Sequence, residues 1–140
     1  MVYHMAINLL ILRHPMAGLT ANTPWPTEIT LHQASRRLDV TFDDGRSYQF
    51  PIEYLRVYSP SAEVIGHGPG QEVLQTGKRL VGIEELLPVG TYAVQIRFSD
   101  GHDTGIFSWD YLKELGVNQD ENWARYLNRI EAAGASRNTH

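Results

Sequence analysis

Residues Val81 to Leu112 read VGIEELLPVGTYAVQIRFSDGHDTGIFSWDYL, and the fold class follows from this stretch. Within it, Tyr92, Val94, Ile96 and Phe98 alternate with Ala93, Gln95 and Arg97, the period of a half-buried strand. Asp100 and Gly101 follow, residue types that tolerate positive φ at a tight reversal, and Gly105, Ile106 and Phe107 return as the partner strand. Ser108 is placed to cap a helix beginning at Trp109, since its hydroxyl can accept from an amide of the first turn. Upstream, Val81 to Leu87 is an apolar-rich strand that reaches the hairpin through the bend at Pro88, Val89 and Gly90.

Towards the N-terminus the alternation recurs. Leu38, Val40 and Phe42 face a core, Asp43 to Arg46 make a turn, and Tyr48 and Phe50 continue the pattern. With a short strand at Glu28 to Leu31, these runs predict an antiparallel meander. Pro51 at a first helical position, with Ile52 and Leu55 three residues apart, predicts one or two helical turns ending before Ser59 and Pro60. Arg56 can pair with Glu53 across that helix. Ser59 to Lys78 then lacks periodicity, and a connection of that length is rare unless it is functional or mobile.

Towards the C-terminus the sequence predicts two helices, Trp109 to Leu115 with Gly116 as a left-handed stop, and Asp120 to Ala133 closed by Gly134. Trp123, Tyr126, Leu127 and Ile130 form one apolar stripe on the second, read as a core face. The expected class is α+β: a small, mostly antiparallel sheet with hairpins, one short helix and two C-terminal helices, in a single domain over residues 27–134. Residues 135–140 should fray. Residues 1–26 are expected to be an irregular extension, with a compositional break at Pro15 that points to a translation start at Met16.

A chain of 140 residues fits one domain, and one of that size buries roughly 68% of its unfolded surface. A net charge of −4, a pI near 5.8 and scattered basic residues argue against nucleic acid. Without cysteine there is no disulfide and no thiolate metal site, which fits a reducing, cytoplasmic setting. The apolar run Ala6 to Leu12 fails as an export signal because its first basic residue, Arg13, comes after it, and it is too short to span a bilayer. No membrane partner is expected.

Chemistry-bearing residues are few. His102 and Asp103 follow the central turn and His67 lies in the glycine-rich loop; two imidazoles with carboxylates such as Asp103 or Glu63 make one possible divalent-metal set. Against it, no paired-histidine spacing occurs, and a turn histidine beside an aspartate more often fixes its loop by a hydrogen bond. Gly66, Gly68 and Gly70 surround His67 without the Lys and Ser or Thr of a phosphate loop. Arg56, Ser59 and Ser61 can form a small polar pocket, but no elbow motif marks a serine nucleophile. No cofactor is expected.

Several blocks together resemble the gamma-butyrobetaine hydroxylase-like N-terminal domain, also called domain of unknown function 971. They are LDVTFDDGRSYQFP (Leu38 to Pro51), LRVYSPSAEV (Leu55 to Val64), Ile65 to Gly68, VGTYAV (Val89 to Val94) and DGHDTGIFSWDYL (Asp100 to Leu112). The resemblance, over about residues 27–116, implies a compact α+β domain in its standalone bacterial form. In the eukaryotic hydroxylases the domain holds zinc through three cysteines and a histidine, which fall on Ser59, Ser61, Val64 and His102 here. Only the histidine is kept, so the resemblance implies that the family's zinc site is absent. A similar domain in plants is appended to an iron-sulfur carrier protein. The expected function is a non-enzymatic protein-interaction module, with an iron-sulfur carrier as candidate partner and Arg56, Ser59, Ser61, His67, His102 and Asp103 as candidate contacts. The alternative is a small metal- or ligand-binding domain using His67, His102 and Asp103.

Overall fold

The computed structural model describes the backbone of residues 2–5 and the whole of residues 24–66 and 68–138. Among these, strands β1 (Val2–Met5), β2 (Pro26–His32), β3 (Arg37–Phe42) and β4 (Ser47–Pro51) come first. Helices α1 (Ile52–Val57) and α2 (Ala62–Ile65) lead to strands β5 (Ile83–Val89), β6 (Ala93–Phe98) and β7 (Ile106–Ser108). Helices α3 (Trp109–Val117) and α4 (Gln119–Ala132) close the order. The strands form two antiparallel sheets, β1-β2-β3-β4 and β5-β6-β7. The α+β class, the meander and the central hairpin are as the alternation predicts.

The period-2 pattern explains why both sheets share one core. Leu38, Val40 and Phe42 of β3 are buried while Arg37, Asp39 and Thr41 are partly exposed. In register, Leu38 lies opposite Phe50 and Val40 opposite Tyr48, giving same-face apolar pairs. From the other sheet, Val94, Ile96 and Phe98 enter the same cluster, and Trp109, Leu112 and Leu115 of α3 cover it. Ser108 caps α3 as expected, its Oγ accepting from the Tyr111 amide at 3.1 Å. A second, smaller cluster joins Val57 at the end of α1 to Tyr126 and Ile130 of α4.

The structure differs from the sequence expectations in several places, each with a physical cause. Val2–Met5 is not irregular: it pairs with β2 from Val2 opposite His32 to Met5 opposite Ile29, using the open backbone edge that β2 presents. Residues 6–23, with Met16, lie outside the described residues. Gly116 does not stop α3, which continues to Val117. A Cβ there would stand 2.5 Å from the Tyr48 ring, so glycine is needed for close approach and not for a turn. Gly134 does close α4 region with φ +62°. Leu127 is exposed, which narrows the apolar stripe to Tyr126 and Ile130 with a half-buried Trp123.

The C-terminal segment expected to fray is instead held as far as Asn138. The Gly77 and Arg79 amides donate to the Ser136 and Arg137 carbonyls at 2.9 and 3.0 Å. The Arg137 guanidinium grips both Glu53 oxygens at 2.7 and 2.8 Å and lies 5.0 Å from the Trp123 ring centroid. Glu53 is buried in α1 and therefore needs a cation, so Arg137 takes the place expected for Arg56.

Trp109 is 2% exposed and its indole Nε1 donates to the Thr91 carbonyl at 2.8 Å. Trp109→Ala removes both the packing and this anchor, and should destabilise the fold by about 3–5 kcal/mol in urea denaturation. A loss below about 1 kcal/mol would contradict its place at the junction of hairpin and helix.

Candidate functional site

The polar cluster begins where α1 ends. Ser59 and Ser61 flank Pro60, and Ser61 Oγ accepts from the Glu63 amide at 3.2 Å, capping α2. Ser59 Oγ accepts from the Ser61 amide at 3.3 Å. The turn between β6 and β7 brings His102 against this corner: Ser59 Oγ is 2.9 Å from His102 Nε2, and Ser61 Oγ is 2.7 Å from Thr104 Oγ1. His102 Nδ1 lies 3.2 Å from Glu63 Oε2. A carboxylate only accepts, so Nδ1 carries the proton and Nε2 accepts from the Ser59 hydroxyl. Both ring nitrogens are thus engaged inside the fold.

Beside it lies an ion-pair network. Arg56 is 6% exposed; its Nε donates to Asp100 Oδ2 at 2.9 Å and its Nη1 to Gln75 Oε1 at 3.0 Å. Lys78 Nζ reaches the same Asp100 oxygen at 2.6 Å. Burial works against ionisation of Asp100, but the Lys78 hydrogen bond and the Arg56 guanidinium outweigh it and hold its carboxyl below the ordinary value. For His102, burial comes first and repulsion from Arg56 adds to it. Together they lower its pKa despite the pull of Glu63 and Asp100.

A Ser-His-Glu line has the connectivity of a nucleophile relay. Here Ser59 is 0% exposed and Gly105 presses on it, with a Cβ at Gly105 standing only 2.3 Å from Ser59 Oγ. Gly105 closes off that side of the hydroxyl, and the hydrogen bonds of this line fasten the loop to the hairpin. Of the residues singled out from sequence, Arg56, Ser59, Ser61 and His102 are brought together and buried. Asp103 is exposed; its backbone carbonyl accepts from Gln95 Nε2 at 2.6 Å, and its carboxylate adds to the negative field around Arg97. His67 lies outside the described residues. Among the described residues no group of three or more His, Asp or Glu is placed to hold a metal ion.

Sequence reasoning missed a groove next to this cluster. The Val73 amide donates to the Val64 carbonyl at 2.9 Å, folding the loop back over α2. Between the loop, the end of α1 and α4 lies a cavity of about 340 Å³, open to solvent. Val57, Tyr58, Ser59 and Val64 form its floor, Ile65 and Val73 its lip, and Arg125 and Arg129 of α4 its far wall. Tyr111 stiffens the floor by donating its hydroxyl to the Tyr58 carbonyl at 2.5 Å. The available signal was the like-charged pair Arg125 and Arg129, four residues apart on one helix, which weakens a helix unless something else uses it.

A small α+β domain with an internal hydroxyl-imidazole fastening and an adjacent open groove is the class these features define. The family model "Gamma-butyrobetaine hydroxylase-like, N-terminal" matches residues 29–113, more than half of the chain, and the chain belongs to that family. Two proteins solved in solution by NMR are 47% and 48% identical to it. They match 85% and 87% of this chain and 94% and 92% of their own, each with a TM-score of 0.74. A crystal structure of a protein of unknown function from Acidithiobacillus ferrooxidans, of the DUF971 family, is 40% identical over 65% of this chain and 91% of its own, with a TM-score of 0.51. No curated protein matches the chain.

Two outcomes test the fastening. Gly105→Ala drives a methyl into Ser59 Oγ and should cost about 1–3 kcal/mol in urea denaturation, part of it recovered when Ser59→Ala is added. The depressed pKa of His102 means that the unfolded chain binds its proton more readily than the fold does. The stability from neutral His102 is therefore complete above its unfolded value of 6.5 and lost as pH falls through the lower folded value. Between about pH 7 and about pH 5, the wild-type chain should lose more stability than His102→Gln, measured as the shift in denaturation midpoint. Parallel curves would place the titration elsewhere.

Proposed function

We propose that this chain is a non-enzymatic protein-interaction module whose contact surface is the groove between the loop over residues 59–77 and α4. The observation that supports it best is the pair of aliphatic side chains on the lip: Ile65 is 45% exposed and Val73 52%. Adjacent exposed apolar residues over a ready-made cavity are the composition of an anchor site. Arg56, Ser61 and His102 act behind this surface, holding the loop in place, and Ser59 links them to the groove it lines. The alternative metal reading has less support, because both nitrogens of His102 are bonded within the fold and Asp103 turns its backbone, not its carboxylate, to Gln95. Family resemblance makes an iron-sulfur carrier protein the first partner to assay, and the cytoplasm is the setting that goes with it. No helix among the described residues is long and apolar enough to cross a membrane.

The test is capture by immobilised chain, followed by reconstitution with the purified partner. Wild type should bind one protein stoichiometrically, and Ile65→Asp with Val73→Asp should weaken binding by about tenfold or more. Ile106→Asp, a change at an exposed aliphatic on β7 away from the groove, serves as control. Equal binding by the groove variant, or no stoichiometric partner, would overturn the reading.

A further inference from the structure

The groove carries charge that the fold leaves unbalanced. Arg125 and Arg129 stand one helical turn apart on α4 and line the same wall. Arg125 is exposed, and its Nη2 donates only to the neutral Asn122 Oδ1, at 3.0 Å. The Arg129 carbonyl accepts from the Ala133 amide at 3.1 Å, but its guanidinium has neither a hydrogen bond nor an ion pair among the described residues. Four other arginines meet carboxylates, Arg37 with Asp39, Arg56 with Asp100, Arg97 with Glu85 and Arg137 with Glu53, while Arg79, away from the groove, donates to the neutral Asn138. Glu72 also lines the groove but pairs with neither α4 arginine. Two guanidiniums beside an apolar floor match a ligand that is aliphatic at one point and anionic at the next.

Resting on the reading of the groove as a contact surface, we propose that it takes a peptide segment of a partner protein in which an aliphatic side chain is closely followed by an Asp or Glu. The aliphatic group packs on Val57, Val64 and Val73, and the side-chain carboxylate is clamped between Arg125 and Arg129. A small amphiphilic acid fits less well, because a ligand confined to about 340 Å³ meets Ile65 and Val73 on their groove side only and leaves the rest of their exposed surface in water. A passing peptide chain covers them. The groove opens to solvent and is not an enclosed cavity, so an internal segment can cross it, and the carboxylate comes from a side chain and not from a chain end.

A phage-displayed random peptide library panned on the full chain tests this. Enriched peptides should share an aliphatic residue followed within a turn or so by an acid. The best of them, synthesised with an amidated C-terminus, should bind Arg125→Gln, Arg129→Gln about tenfold or more weakly than wild type, and should lose affinity with added salt. Both arginines are at least partly exposed, and circular dichroism verifies that the double variant folds. Enrichment of peptides without an acid, equal affinity for the double variant, preference for a free terminal carboxylate, or displacement of the peptide by self-association would each overturn the proposal. If Ile65→Asp with Val73→Asp still loses its partner while no acidic peptide binds, the contact surface stands and the proposed occupant falls. If that variant keeps its partner, both fall.

Discussion

The structure depends on the guanidinium of Arg56, which α1 delivers into the interior at 6% exposure. A cation taken out of water must be met by an anion and by hydrogen-bond acceptors, or its desolvation destabilises the fold. Asp100 supplies the anion from the β6–β7 turn, and Gln75 supplies an acceptor from the loop. Three segments far apart in sequence are therefore obliged to converge on one point. Lys78 joins them from the loop's far end, so the loop is held at both ends although it carries little regular structure.

The hydroxyl-imidazole cluster extends this fastening. Ser59, Ser61 and His102 occupy positions where the family resemblance places zinc ligands, and in this chain hydrogen bonds join the same two segments. A hydroxyl needs only one donor or acceptor nearby, whereas a metal needs several ligands at fixed distances. Ser59 finds His102 and the Ser61 amide, and Ser61 finds Thr104 and the Glu63 amide. The close approach at Gly105 shows how tightly the hairpin is drawn against this corner, since no side chain fits between it and Ser59.

Fixing the loop from beneath is what leaves a usable surface above. Ile65 ends α2 and Val73 returns beside Val64, so two aliphatic residues are held at the lip of a groove rather than collapsing into the core. The wall opposite comes from α4, whose orientation is set by Tyr126 and Ile130 packing on Val57, and by Arg137 reaching back to Glu53. Burial of one helical face turns the neighbouring positions, Arg125 and Arg129, towards the groove. Loop and helix are thereby brought to face each other across the groove.

Sequence alone determined the local elements. Alternation at Leu38 to Phe42 and at Val94 to Phe98, the Asp-Gly turns, and the Ser108 cap each depend on neighbours within a few residues, and such signals survive without knowledge of the rest of the chain. Four of the candidate site residues were legible as polar positions at corners of the loop and hairpin. Their roles were not, because burial and partner choice depend on contacts more than forty residues away: 43 between Ser59 and His102, 44 between Arg56 and Asp100, 84 between Glu53 and Arg137. The same reason accounts for Gly116, whose need for glycine arises from the Tyr48 ring of another element. The groove was least legible of all. It is a space between the loop and α4, and no stretch of sequence encodes a space; only the tertiary packing that sets those two elements apart decides that it exists.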